Sequence, residues 1–431
     1  MKNIIILFVS VICITVNAQT SSIRKSSPLT SDKAENAGMS GQRLDRISNY
    51  CNEQISNGSI PGMVVLVARN GKIVYHKAFG YADYENNRKY KTDDIFRIAS
   101  QSKAITATAV MMLWEEGKFQ LDDPISKYIP EFKDAQVIES FNEEDSSYTT
   151  VPAGKEITIR HLMTHTSGIG YGIIDGDDRL RKIYAKTGII DLYTTKKITI
   201  EENIKKLAQL PLLHNPGEKF TYSEGLDVMG YFIEIVSGMP FDKFLRTRLF
   251  DPLGMNDTWF YLPDDIAERL VPVQHKPDTK WENYPVTFYD PDYPVKGEKT
   301  FFSGGAGLSS TAKDYATFLQ MYLNMGELNG VRILSRKTIE FMMANQVGGL
   351  WRSTGDSYYG LSFGIVTQKG QDLGGNGSIG SFGWGGYFNT QYFADPEENL
   401  IGIIMKQTTG AVPVDDTKWS FRTLAEQAID D

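Results

Sequence analysis

Sulfur and imidazole are scarce in this chain, which has two cysteines and five histidines in 431 residues. Cys13 falls in an apolar N-terminal run, so Cys51 stands alone in the remainder and no disulfide can form within it. A chain without that staple must be stable through its core. Cys51 lies in LDRISNYCNEQI with no histidine or basic cluster beside it, and is expected to be buried and inert. The histidines are His76, His161, His165, His214 and His275. His161 and His165 are four apart, but the glutamate of a zinc-binding His-Glu-x-x-His is missing and no cysteine pair is near. They are expected to be a satisfied structural pair on one helix face, and no metal or other cofactor is implied. Also missing are a Gly-x-Ser-x-Gly nucleophile elbow, a Walker A phosphate loop, and any internal repeat.

Excess positive charge is absent too: 45 Lys and Arg face 53 Asp and Glu, a net charge of −8. That balance argues against a nucleic-acid partner and against anionic membrane surfaces. It leaves a small-molecule substrate open. The one long hydrophobic run is in residues 1–18, MKNIIILFVSVICITVNA. Lys2 supplies a positive start, Ile4 to Val16 the apolar stretch, and Val16-Asn17-Ala18 a small-residue cleavage site. A cleaved signal peptide is expected, placing the protein in the periplasm or outside the cell. The run is short for a membrane span and Cys13 lacks a lipobox, so no stable membrane insertion is expected. Cleavage would leave 44 basic against 53 acidic side chains, a net charge of −9.

Length alone suggests two lobes. Residues 19–38 are polar and read as a flexible tail. Ser40 then opens an amphipathic helix (Leu44, Ile47, Cys51, Ile55) that ends at Asn57-Gly58. MVVLVARNGKIVYHKAFGYA gives two β-rich runs around Asn70-Gly71, a strong hairpin signal. Helical patterns dominate from Ser100 to about residue 260, with a polar excursion at 137–157 that suggests an added hairpin. Residues 272–300, rich in Pro, Asp and Tyr, read as a long surface loop. After SGGAGLSS comes another helix, then strands and turns, and a last helix near 417–429. Strands at both ends of the chain predict an α/β fold whose sheet is completed by the C-terminal third, with an inserted mainly helical domain. The expected α/β segments are 39–97 and 296–431, and the helical domain is 98–295.

Three Ser-x-x-Lys patterns occur: Ser22-Lys25, Ser100-Lys103 and Ser310-Lys313. The first lies in the tail. The third opens an amphipathic helix, where Ser310 reads as a cap and Lys313 as a solvated lysine. Only Lys103 heads a helix, IASQSKAITATAVMMLW, with no further charge before Glu115. Spacing of three places Ser100 and Lys103 one turn apart on one face. A helix N-terminus and burial both favour the neutral amine, which could take the serine proton and activate it as a nucleophile. A lysine snorkelling from the end of a core helix fits the same residues, and the motif alone leaves both open. Tyr222, before a helix in NPGEKFTYSEGLDVMGY, would by itself be one tyrosine among 22. Gly385-Gly386 interrupt the strand-like GSFGWGGYFNTQYF, as a bulge or as a place where a ligand approaches the backbone.

Taken together, IFRIASQSK, HLMTHTSGI, NPGEKFTYSEGLDVMGY, SGGAGLSSTAKDYATFLQMYLNMGELNGVRILS and FGWGGYFNTQYFADPEENLIGIIMKQ resemble the serine β-lactamase and penicillin-binding-protein superfamily. The resemblance is on its class C side, closest to the family VIII carboxylesterases, and runs from about Ser40 to Gln407. It implies a β-lactamase-like fold, an antiparallel sheet flanked by helices. It implies Ser100 as nucleophile, Lys103 as base or proton relay, and Tyr222 as the tyrosine that passes the proton to the leaving group. Trp384-Gly385-Gly386 would occupy the third-motif strand, and the amides of Ser100 and Tyr387 would form the oxyanion hole.

Two departures bear on substrate. Where β-lactamases of this group typically carry Lys-Thr-Gly or His-Thr-Gly, this chain has the apolar Trp384, and Glu224 stands where many have asparagine. Both changes, Glu224 through added negative charge, would disfavour anionic substrates, so an exported carboxylesterase acting on neutral esters is expected. A β-lactamase or D,D-carboxypeptidase is the alternative within the superfamily, and a catalytically idle peptide-binding protein the alternative outside enzymes.

Overall fold

The computed structural model describes residues 21–174, 177–409 and 417–431; the expected signal peptide lies outside the described residues. One mixed sheet organises the chain. Its strands are β1 (Thr30–Ser31), β2 (Gly62–Arg69), β3 (Lys72–Asp83), β4 (Arg88–Lys89), β5 (Ser357–Tyr359), β6 (Gly364–Val366), β7 (Phe382–Gly385), β8 (Gln391–Asp395) and β9 (Leu400–Met405). They run in the order β1-β3-β2-β9-β8-β7-β6-β5, with β4 on β3. Among the described residues, no strand of this sheet comes from 98–295, which contribute helices and small separate hairpins. β2 and β3 join through Asn70 (φ 53°) and Gly71 (φ 74°), the paired positive angles that a two-residue hairpin turn requires.

All eight residues of β2 are buried, because both faces of the sheet are covered. Met63, Val65 and Val67 point to one side, where α1 (Gly41–Ser56) lays down Leu44, Ile47 and Cys51 beside Phe421 and Ala425 of the C-terminal helix. Ser40 caps α1 by accepting from the Arg43 amide. Val64, Leu66 and Ala68 point to the opposite side and join the larger core. The period of two in a strand buried on both faces thus reads as one unbroken apolar run.

At the centre of the larger core is α2 (Ser102–Glu115), in which every residue from Ser102 to Leu113 is buried. It packs against α3 (Gly225–Ser237). α4 (Ala312–Leu323) lies across β2 and β9. Its cap is Thr311, which accepts from the Asp314 amide, and not Ser310 as expected. Ser310 belongs to a two-residue strand with Ser309 that pairs with Phe96–Arg97 just ahead of Ser100.

The expected flexible tail and the expected surface loop at 272–300 are both packed. From residue 21 to residue 38 the chain runs along the sheet: β1 pairs in parallel with Lys72–Ile73, and Leu29, Ala34 and Ala37 are buried. Three apolar residues scattered in a polar stretch escape a periodicity test yet suffice to dock it. In 272–300, Trp281, Tyr289 and Tyr293 turn inward, and Tyr293 stacks on Tyr193 at 4.3 Å between centroids. The excursion at 137–157 does contain a hairpin, Gln136–Phe141 with Tyr148–Pro152.

Leu66 is fully buried between β2 and the larger core. Leu66→Ala is expected to lower stability by about 2–5 kcal/mol, read as a lower urea midpoint at unchanged slope. An unchanged midpoint would show that the core does not bear on this strand.

Candidate active site

The chain approaches the site along Phe96–Arg97, held by Ser309–Ser310, with the Ile98 amide donating to the Leu308 carbonyl at 3.0 Å. Ala99 then turns with φ of 44°, a left-handed conformation unfavourable for a residue with a Cβ, and a short 3₁₀ turn spans Ala99–Gln101. Ser100 therefore stands in a tight turn entering α2 and not within the α-helix itself. Such outliers concentrate where a side chain must be presented at a fixed place. The Arg97 side chain, fully buried, ties this turn to the 272–300 segment by donating to the carbonyls of Val271 and Pro291.

Lys103 follows in the first turn of α2 with 1 % of its surface exposed. Its Nζ lies 3.4 Å from Ser100 Oγ, 2.8 Å from Tyr171 Oη and 2.8 Å from the Gly305 carbonyl. As an ammonium it has an acceptor for each of its three hydrogens; as an amine it can accept from the Ser100 or Tyr171 hydroxyl. Either form is satisfied, which is the condition for burying it. Burial holds the Tyr171 phenol well above its ordinary value, so it stays protonated.

The Tyr222 ring lies 4.7 Å from Lys103 Nζ, but its hydroxyl is buried with no hydrogen-bond partner among the described residues. Tyr171, which sequence reasoning missed, is the tyrosine bonded to the lysine. Nothing in its spacing distinguishes it from the other tyrosines. His165 was missed as well. It is not on a helix face with His161: the helix ends at Met163, and His165 has φ of 57°. His161 instead accepts from the Thr158 amide at the other end of that helix. The His165 carbonyl accepts from the Thr221 amide at 2.8 Å and its Nδ1 from the Ser223 amide at 3.1 Å, so it pins both neighbours of Tyr222. Its ring packs 4.5 Å from that of Tyr222. Burial, reinforced by Lys103, pushes the imidazole well below its ordinary value, so it is neutral.

Trp384 and Gly385 end β7, and Gly386 follows. A Cβ on Gly386 would fall 2.5 Å from the Ile98 carbonyl, so glycine lets this strand end touch the turn that carries Ser100. At Gly385 a Cβ would meet the Gln391 side chain instead. Tyr387 comes next, half-buried, with its ring against Phe388. A cavity of about 640 Å³ opens here, and its lining includes Ser100, Phe220, Tyr222, Trp351, Trp384 and Gln391. Ser100, Lys103, Tyr222 and the Trp384–Gly386 strand are thus brought together.

Glu224 does not join them as an added charge. It is fully buried at the start of α3, and burial, then the neighbouring Asp191 and Asp227, push its carboxyl well above the ordinary range. The expected negative charge beside the acyl site is therefore corrected to a neutral acid. Asp227 is raised to about 6, chiefly by burial, against the opposing pull of Lys103.

A tight turn carrying Ser100 and a glycine-opened strand meet at this cavity, with the buried Lys103 beside Ser100, and the chain belongs to the β-lactamase family, whose model matches residues 41–427. It is 29 % identical over 390 residues to esterase EstB of Burkholderia gladioli, covering 85 % of this chain and 90 % of that one. Lovastatin esterase of Penicillium rubens is 29 % identical over 395 residues, covering 85 % and 94 %. Among solved structures, EstCE1, a hydrolase with promiscuous acyltransferase activity, superposes with a TM-score of 0.75 at 27 % identity, covering 90 % of this chain and 99 % of its own. The protein is a serine hydrolase of the carboxylesterase-like kind within that family.

Because its folded-state carboxyl is raised, Glu224 keeps a proton that the unfolded chain releases above its ordinary value near 4.5. Stability from this group therefore falls as pH rises above that value. Glu224→Gln is expected to raise Tm relative to wild type at pH 8, with the gain shrinking toward pH 4.5. An equal Tm difference at both pH values would mean that the acid is ionised in the fold.

Proposed function

We propose that the protein hydrolyses neutral carboxylic esters through an acyl-enzyme on Ser100. The observation that carries this is the buried Lys103 amine, 3.4 Å from the Oγ of Ser100, which lines an aromatic-walled cavity. Lys103 takes the proton as Ser100 Oγ attacks the ester carbonyl. The amides of Ser100 and Tyr387 receive the oxyanion, each contributing about 3 kcal/mol judged by comparable donors. The proton passes to the departing alcohol by way of Lys103 and Tyr222, whose buried hydroxyl has no hydrogen-bond partner among the described residues. Water then attacks the acyl-enzyme with the same groups assisting.

The preference for neutral substrates rests on Trp384, since Glu224 brings no charge. Trp384 packs with Tyr222, Trp351 and Tyr359 at 5.5–5.9 Å, so the third-motif position itself presents an apolar surface to a substrate carboxylate, while Arg352, Lys418 and Arg422 line the cavity elsewhere. Export is proposed on the leader-like residues 1–18, with Gln19 as the mature N-terminus, which N-terminal sequencing of the secreted or periplasmic protein would check.

Hydrolysis of p-nitrophenyl acetate and butyrate beside nitrocefin tests the reading. Ser100→Ala is expected to lose ester turnover by roughly 10³-fold or more while keeping the wild-type Tm, and nitrocefin is expected to remain intact with either protein. Lys103→Ala should fall by roughly 10²–10⁴-fold. Ester turnover surviving in Ser100→Ala would overturn the assignment, and fast nitrocefin turnover would place the protein with the β-lactamases.

A further inference from the structure

The Gly305 carbonyl holds Lys103 on the side away from Ser100, and a backbone carbonyl in a glycine-rich loop needs something to fix it. In SGGAG, residues 303–307, that anchor is Asp227 of α3. Its Oδ1 accepts from Ser303 Oγ at 2.5 Å and from the Gly305 amide at 3.1 Å. Ser303 Oγ in turn accepts from the Ala306 amide at 3.0 Å. Asp227 thus holds the Gly305 amide directly, and through Ser303 it holds the Ala306 amide, the N–H of the peptide unit whose Gly305 carbonyl meets Lys103 Nζ at 2.8 Å. The other oxygen, Asp227 Oδ2, is buried and has no hydrogen-bond partner among the described residues. A Cβ on Gly305 would lie 2.3 Å from Oδ2 and 3.1 Å from Tyr171 Oη, so Oδ2 sits beside the lysine's two closest ligands.

We infer that Asp227 is a positioning residue for the Ser100–Lys103 pair: it fixes the Gly305 carbonyl against the lysine and supplies the negative charge that the buried amine faces. This rests on the esterase reading above. The titratable groups around Lys103 are Tyr171 and His165 from one segment, Tyr222 and Glu224 from the loop before α3, Asp227 from α3, and Asp191. His165 and Glu224 are neutral, Tyr171 is a protonated phenol, and Tyr222 turns its ring face to the amine. Asp191 is occupied by the amides of Gly172 and Ile173. Asp227 is the carboxylate bonded to the lysine's own anchor.

A carboxylate there favours the ammonium, which cannot take the Ser100 proton. Asp227→Asn keeps the shape and an acceptor oxygen but removes the charge. Its acid limb of kcat/KM against pH, measured with p-nitrophenyl butyrate, is expected to move down by about one pH unit. Ser303→Ala keeps the charge and loosens the anchor. It is expected to lower kcat roughly five-fold or more at little changed KM, with the acid limb in place. An Asp227→Asn profile superimposable on wild type, or, should that variant not fold, a Ser303→Ala protein with wild-type kcat, would overturn the inference. Survival of ester turnover in Ser100→Ala is the separate result that would sink the esterase reading itself.

Discussion

Three oxygens placed around the amine of Lys103 are the contact on which this molecule depends. They come from distant parts of the chain: Ser100 in the turn before α2, Tyr171 after the histidine segment, and Gly305 from the glycine-rich loop. Burying an unpaired ammonium would cost several kcal/mol, so the helix that carries Lys103 can lie in the core only when all three segments are in place. The rest of the fold can be understood as what holds them there. α2 packs against α3, α3 carries Asp227 to the loop of Gly305, and His165 pins the backbone on both sides of Tyr222.

The electrostatics follow from the same burial. One basic side chain faces three carboxyls, yet the site does not carry a large net negative charge. Glu224 is held as a neutral acid, Asp191 is solvated by two backbone amides, and Asp227 receives a hydroxyl and an amide. Desolvation raises Glu224 and Asp227, and at Asp227 the hydrogen bonds from Ser303 and the Gly305 amide oppose that rise. The cavity over Ser100 is then walled beside Trp384 by aromatic rings, while Arg352, Lys418 and Arg422 also belong to its lining.

The parts legible beforehand were those written in contiguous residues. The hairpin at Asn70-Gly71 follows from two residues that tolerate positive φ, and the burial of α2 from its missing polar face. Ser100, Lys103, Tyr222 and the Trp384–Gly386 strand stood out through family resemblance, and they meet in one place. Tyr171 and Asp227 did not, because their importance comes from contacts across 68 and 78 positions of the chain, which no local pattern encodes. Glu224 was visible but given the wrong charge: its identity is in the sequence, whereas its ionisation depends on how deeply α3 is buried. His161 and His165 misled for a related reason. Their spacing assumed a helix that in fact stops at Met163. The segment before residue 38 was read as loose because three docking residues make no period.

The central claim is that Ser100, relieved of its proton by Lys103, becomes covalently acylated. The most direct measurement is to mix the protein with p-nitrophenyl butyrate, quench in acid within the first turnovers, and map the acylated peptide by mass spectrometry. The account predicts one butyryl group on the peptide bearing Ser100, absent from Ser100→Ala and lost on standing as the acyl-enzyme hydrolyses. A butyryl group on another residue, or ester turnover with no adduct and no burst of p-nitrophenol, would contradict it.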